Sequence, residues 1–119
     1  MDVAKVVNAL GALAHEHRLR IFRMLVERGP EGLSAGVIAE RLGLPPSSLT
    51  FHLHQLMNAG LITQRRLSRQ LMYAADFSAM TELLGYLTEN CCAESAVGSL
   101  ACLPRKTVTP ARARAVRSR

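Results

Sequence analysis

The side chains best suited to chemistry in this chain are its thiols. Cys91 and Cys92 are adjacent, Cys102 follows, and all three cysteines of the protein fall within twelve residues. Thiolates are soft donors that select soft metal ions and metalloids over magnesium or calcium. Three cysteines cannot all pair within one chain, which weighs against a structural disulfide framework. A lone cysteine at Cys91 would read as a small core residue. With Cys92 beside it and Cys102 following, a ligand set is the stronger reading. Zinc takes four ligands in a tetrahedron, and three thiols without an evident fourth donor serve it poorly. The four histidines fall in two pairs, His15/His17 and His52/His54, each spaced i, i+2. On a helix such a pair splits between opposite sides, so neither forms a rival site. There is no Cys-x-x-Cys redox motif, no phosphate-binding glycine loop and no base placed beside a nucleophile, so the chain does not read as an enzyme and needs no organic cofactor.

The elements that must position these thiols follow from hydrophobic spacing. Val3, Val6, Val7, Leu10 and Leu13 predict a helix over about residues 2–14, and Leu19, Phe22, Leu25 and Val26 a second one from Glu16. Gly29-Pro30-Glu31-Gly32 ends it. Ser34 is placed as an N-cap for a short helix with Val37, Ile38 and Leu42, which Gly43 stops. After Leu44-Pro45-Pro46, a fourth helix carries Leu49, Leu53 and Leu56 inward. The period then changes: Leu61-Ile62-Thr63 and Leu71-Met72-Tyr73-Ala74 read as two strands around a polar tip. Helical spacing returns at Phe77, Met80, Leu84 and Leu87, and Cys91 continues that stripe. Adjacent cysteines on a regular helix cannot share one ion, so this last helix is expected to fray near Asn90. The predicted fold is mainly α with a two-stranded β wing: four helices, two strands, one helix.

Charge is segregated along the chain. The net charge of +6 equals the contribution of Arg105, Lys106, Arg112, Arg114, Arg117 and Arg119, so the rest of the chain is neutral. Between Glu40 and Asp76 there is no acid, while Arg41, Arg65, Arg66, Arg69, His52 and His54 are present. A positive face in mid-sequence favours a polyanion as partner. No apolar run approaches the roughly 20 residues of a membrane span. The start, Met1 to Lys5, lacks the basic-then-apolar pattern of a secretory signal, so a cytoplasmic protein with reduced thiols and no membrane partner is expected. Two regions are expected: residues 1–92 for DNA binding and dimerisation, and residues 93–119 holding Cys102 and a disordered basic tail.

Two short helices joined by a tight turn, followed by a basic hairpin, make a winged helix-turn-helix. Its second helix fits the major groove of duplex DNA and its hairpin reaches phosphates or the minor groove. The outer face of the fourth helix offers Ser47, Ser48, Thr50, His52, His54 and Gln55 to DNA. Phe51 is either a contact to a base methyl or ordinary packing. Arg65, Arg66, Arg69, Gln70 and Tyr73 complete the expected contacts from the wing.

Thr50-Phe51-His52-Leu53-His54-Gln55-Leu56, Ala59-Gly60-Leu61-Ile62, Arg66-Leu67-Ser68-Arg69 with Tyr73, and Leu13 to Ile21 together resemble the ArsR/SmtB repressors over residues 8–92. The resemblance implies a homodimer through the first and last helices, with Leu10, Phe77, Met80, Leu84 and Leu87 at the interface. It also implies release from operator DNA when a metal or metalloid binds. The wing carries Ser68 where the family usually has glycine. The family's cysteine pair in the third helix is absent from Ser34–Leu42, and residues 77–92 lack the histidines of its zinc site. Tyr86-Leu87-Thr88-Glu89-Asn90-Cys91-Cys92 is similar to the arsenite-responsive branch. Trivalent arsenic takes three thiolates in a pyramid, so Cys91, Cys92 and Cys102 are the expected ligands for As(III), with Sb(III) as a variant. Cadmium or lead on the same thiols, a redox-responsive disulfide involving Cys102, and a methylated trivalent arsenical held by Cys91 and Cys92 alone are the alternatives.

Overall fold

The computed structural model describes residues 1–94. In chain order it contains α1 (Val3–Leu13), α2 (Glu16–Arg28), β1 (Leu33–Ser34), α3 (Ala35–Leu42), α4 (Pro46–Asn58), β2 (Ile62–Leu67), β3 (Gln70–Ala75) and α5 (Phe77–Thr88). Cys102 and the arginine-rich tail lie outside the described residues.

Local chemistry sets the boundaries. The Asp2 carboxylate caps α1 by accepting from the Lys5 amide at 2.8 Å, which satisfies one of the open donors of the first turn. Ser34 Oγ does the same for α3, accepting from the Val37 amide at 3.3 Å. Gly43 closes α3 at φ 67°, in the left-handed region that glycine enters without a Cβ penalty. The Asp76 carboxylate accepts from the Ala79 amide at 3.0 Å where α5 begins. Among the described residues no helix is long and apolar enough to cross a membrane.

The sheet has three strands, not two. Its order is β1-β3-β2, all antiparallel, with Leu33 opposite Tyr73 and Gln64 opposite Tyr73 on the other side. The expected wing is therefore correct as β2–β3, but β1 joins it at the base. Two residues are too short to show an alternating pattern, so β1 leaves no signal in sequence. Its approach depends on Gly32 (φ 75°), where a Cβ would come within 2.3 Å of the Tyr73 carbonyl oxygen. Ile21, Leu25, Ile38, Leu49, Leu53, Leu56 and Leu61 form the deepest core, drawn from α2, α3, α4 and the start of the wing. At the wing tip Leu67 pairs with Gln70, which leaves the two-residue turn Ser68-Arg69. Ser68 adopts φ 58° there.

The compact winged-helix unit runs from Met1 to Leu87, and a second unit starts at Thr88. α5 stops at Thr88 and Asn90 follows at φ 59°, so the helix ends before the adjacent cysteines, close to the expected position. Cys91 consequently does not continue the α5 stripe, contrary to the periodicity reading.

Candidate functional site

Helix α4 turns Leu49, Leu53 and Leu56 into the core and leaves Ser47, Thr50, Phe51 and His54 exposed, with Ser48 and Gln55 half-buried. Pro46 sits in the first turn, where its missing N–H costs nothing. The Thr50 hydroxyl donates to the Pro46 carbonyl at 2.9 Å, so its proton is already committed within the helix. Phe51 is 57 % exposed, which leaves an apolar ring on the outer face. Such a ring matches a thymine methyl in a major groove.

His52 departs from expectation: it is only 8 % exposed. The reason is positional. It stands three residues after Leu49 and four before Leu56, on the inward stripe, and its polarity disguised that spacing. Its Nδ1 lies 3.3 Å from Arg18 Nη1, and Arg18 Nε donates to the Ala12 carbonyl at 2.7 Å. The rings of His15 and His17 approach the same ring, with centroids 4.6 and 5.6 Å away, and Phe51 meets it edge-on at 5.6 Å. Burial, followed by the charges of His15, Arg18 and His17, holds the His52 pKa below 6.5. The expected separation of His15 from His17 also fails. His15 is the N-cap of α2 with an extended backbone (φ −156°), and its Nδ1 accepts from the His17 amide at 3.1 Å, so the two rings share a side. His17 Nδ1 is buried without a hydrogen-bond partner.

The β2–β3 wing exposes Arg65, Arg66, Arg69 and Gln70 together. Arg65 Nη2 donates to the Glu31 carbonyl at 2.7 Å, bracing the wing against the loop after α2. Tyr73 is not among the exposed wing residues. It is buried on the central strand and its hydroxyl accepts from Gln64 Nε2 at 2.8 Å, which makes it a sheet residue. Exposed arginines suit phosphate contacts, and an exposed polar helix face suits base-edge contacts.

Exposed apolar side chains gather on α1 and α5. Val3, Val7 and Leu10 lie on one face of α1, exposed by 41–61 %, and Leu84 and Leu87 of α5 are exposed by 55 and 54 %. Phe77 and Met80 sit differently, half-buried and packed partly on the chain's own core.

The thiols begin the second unit. The Cys91 amide donates to the Thr88 carbonyl at 3.0 Å, and Asn90 and Cys92 both have left-handed backbones (φ 59° and 62°). This tight turn brings Cys91 Sγ to 3.6 Å from Cys92 Sγ. Metal–sulfur bonds of about 2.3 Å let two sulfurs as far apart as about 4.6 Å meet on one ion, so the pair can share a soft ligand. Cys91 carries an exposed thiol, whereas Cys92 is disulfide-bonded and must be reduced before it can ligate. Among the described residues no three His, Cys, Asp or Glu side chains are arranged to hold a metal ion, and the histidine trio is no exception.

Known proteins resemble this arrangement. A family model described as a helix-turn-helix domain matches residues 13–65. The nodulation protein NolR of Rhizobium meliloti is 32 % identical over 88 residues, covering 74 % of this chain and 70 % of NolR. The transcriptional activator HlyU of Vibrio cholerae is 38 % identical over 84 residues, covering 68 % of this chain and 75 % of HlyU. The structure of reduced HlyU superposes with a TM-score of 0.57 at 38 % identity, over 71 % of this chain and 88 % of that one. An ArsR-like transcriptional regulator from Rhodococcus sp. RHA1 gives a TM-score of 0.66 at 27 % identity, over 76 % and 82 % of the two chains.

Proposed function

This chain belongs to the ArsR/SmtB family of winged helix-turn-helix transcriptional regulators, DNA-binding proteins and not enzymes, and from that premise we propose a metalloid-responsive repressor. It binds operator DNA as a homodimer, through Ser47, Ser48, Thr50, Phe51, His54 and Gln55 of α4 and Arg65, Arg66, Arg69 and Gln70 of the wing. It leaves the operator when trivalent arsenic, or antimony, is taken up by Cys91, Cys92 and Cys102. The observation that carries the ligand reading is the left-handed turn after α5, which brings two adjacent sulfurs to 3.6 Å. A regular helix would hold them apart.

Thiolates, not thiols, are the ligands, so uptake requires reduced cysteines and weakens as they are protonated. The ligand prefers the DNA-free state, and DNA opposes its uptake by the same coupling energy. Val3, Val7 and Leu10 with Leu84 and Leu87 supply the apolar area of the homodimer. A two-fold dimer places its recognition helices about one DNA turn apart, so a small change in that spacing is enough to lose the operator.

The test is fluorescence anisotropy of the reduced protein on duplex from upstream of its own gene, titrated with arsenite. Release is expected for the wild type and absent for Cys91→Ser and Cys92→Ser. A Cys91→Ser protein that still releases DNA with arsenite would falsify the ligand assignment. Cys102→Ser separates three thiols from two, the latter fitting a methylated arsenical. Cadmium and lead form parallel arms of the titration.

A second reading has its own support. Cys92 is disulfide-bonded, and the HlyU structure it resembles is described as reduced. On this reading two thiols are oxidised to a disulfide by a peroxide such as hydrogen peroxide, which leaves as two waters. DNA release by peroxide, reversed by a dithiol without any metalloid, would favour it.

A further inference from the structure

His52 points into the fold from the helix whose outer face carries the proposed base contacts. Its Nδ1 faces Arg18 Nη1 at 3.3 Å, while the same guanidinium donates Nε to the Ala12 carbonyl at 2.7 Å. One side chain thus joins the last turn of α1 to the middle of α4. Guanidinium nitrogens only donate, so His52 Nδ1 must accept, and the ring is neutral with its proton on Nε2. A second proton would set donor against donor and place a charge on a ring that is 8 % exposed.

Among the described residues, the charged and titratable groups that act on the ring all disfavour its protonation. His15, Arg18 and His17, from the α1–α2 junction and α2, all act to keep it neutral. α1, α3 and β2 also pack on α4 and, among the described residues, add no carboxylate to the ring. α1 is also the helix whose outer face presents Val3, Val7 and Leu10. The junction therefore connects a proposed dimer surface to a proposed DNA surface.

The geometry points to His52 as a positioning residue for DNA recognition: neutral, it latches α4 to the end of α1 through Arg18, and protonated, it releases that latch and weakens operator binding. The inference rests on α4 being the DNA-reading helix, as proposed above. It makes no use of the thiols.

The experiment measures operator affinity of the full-length reduced protein at pH 7.5 and pH 5.5 by anisotropy. His52→Asn places an amide oxygen where Nδ1 stood, keeping the acceptor without a titratable group. It is expected to bind like the wild type at pH 7.5. On acidification the wild type should lose about fivefold more affinity than this variant, the lower end of typical coupling between sites. Arg18→Met, which removes the donor from outside α4, should bind more weakly at pH 7.5 and give the same flattened profile. Thermal melts at both pH values identify any variant that fails to fold, and the other variant then carries the comparison. Coincident profiles for the wild type and the folded variants would overturn the latch. Phe51→Ala separates the two levels of the reading. If it leaves affinity unchanged, α4 is not the DNA reader and the latch falls with it; if it abolishes binding while the profiles coincide, only the latch falls.

Discussion

α4 and α5 are of nearly equal length, thirteen and twelve residues, but the chain treats them differently. α4 buries Leu49, His52, Leu53 and Leu56, whereas α5 buries Leu83 alone. α4 is gripped by its own chain over its whole inner face and presents a mixed polar face with one aromatic ring. α5 presents leucines. Helical stability in a protein comes mostly from packing an amphipathic face. α5 buries Leu83 and rests Phe77, Met80 and Tyr86 partly on the core, while Leu84 and Leu87 stay exposed. On the function proposed above, the polar face of α4 meets DNA and the leucines of α5 meet a second copy.

The comparison can be broken most forcefully on the α4 side. Leu53 is 1 % exposed, and Leu53→Ala should cost about 2–5 kcal/mol of unfolding free energy in urea, by lost burial and the cavity left behind. The loss should not depend on protein concentration. On the α5 side the expected result is the opposite. Leu10→Glu combined with Leu87→Glu should weaken self-association by roughly 100-fold or more, since carboxylates are costly in an apolar seam. Sedimentation equilibrium reads this directly, and helix content of the monomer by circular dichroism should be retained. An unchanged association constant would remove α1 and α5 from the interface.

The smallest effect concerns His52. Its folded-state pKa lies below the ordinary 6.5, so the unfolded chain takes up its proton first as pH falls. The stability it supplies is complete above pH 6.5 and declines as pH drops through the folded value. Urea unfolding of wild type against His52→Asn isolates that decline, which should be present in the first and missing in the second. A steeper decline in the variant would contradict the neutral, buried assignment.

Much of the fold was legible in the sequence because it is local. The stripe Leu49-Leu53-Leu56, the Ser34 cap, the Gly43 stop and the β2–β3 hairpin each depend on residues within a turn or two of one another. What escaped depends on distant partners. Polarity and a basic stretch of sequence point His52 and Tyr73 toward DNA. Their true neighbours are Arg18, 34 residues away in sequence, and Gln64 across a strand pair. β1 escaped for the same reason, since two residues become a strand only when β3 lies beside them. Of the candidate site, the exposed arginines of the wing and the exposed face of α4 stand where sequence placed them. Cys91 and Cys92 share a turn after α5 and do not extend its stripe.

The turn at Ser68 has a practical consequence for anyone wishing to tune this protein. A non-glycine residue at φ 58° carries left-handed backbone strain of about 1 kcal/mol. Ser68 is exposed at the tip of the wing, so exchanging it for glycine is expected to relax the hairpin turn without a change to the buried core. On the function proposed above, the wing tip is then the place at which a biosensor's baseline occupancy of DNA would be set without redesigning the thiol turn.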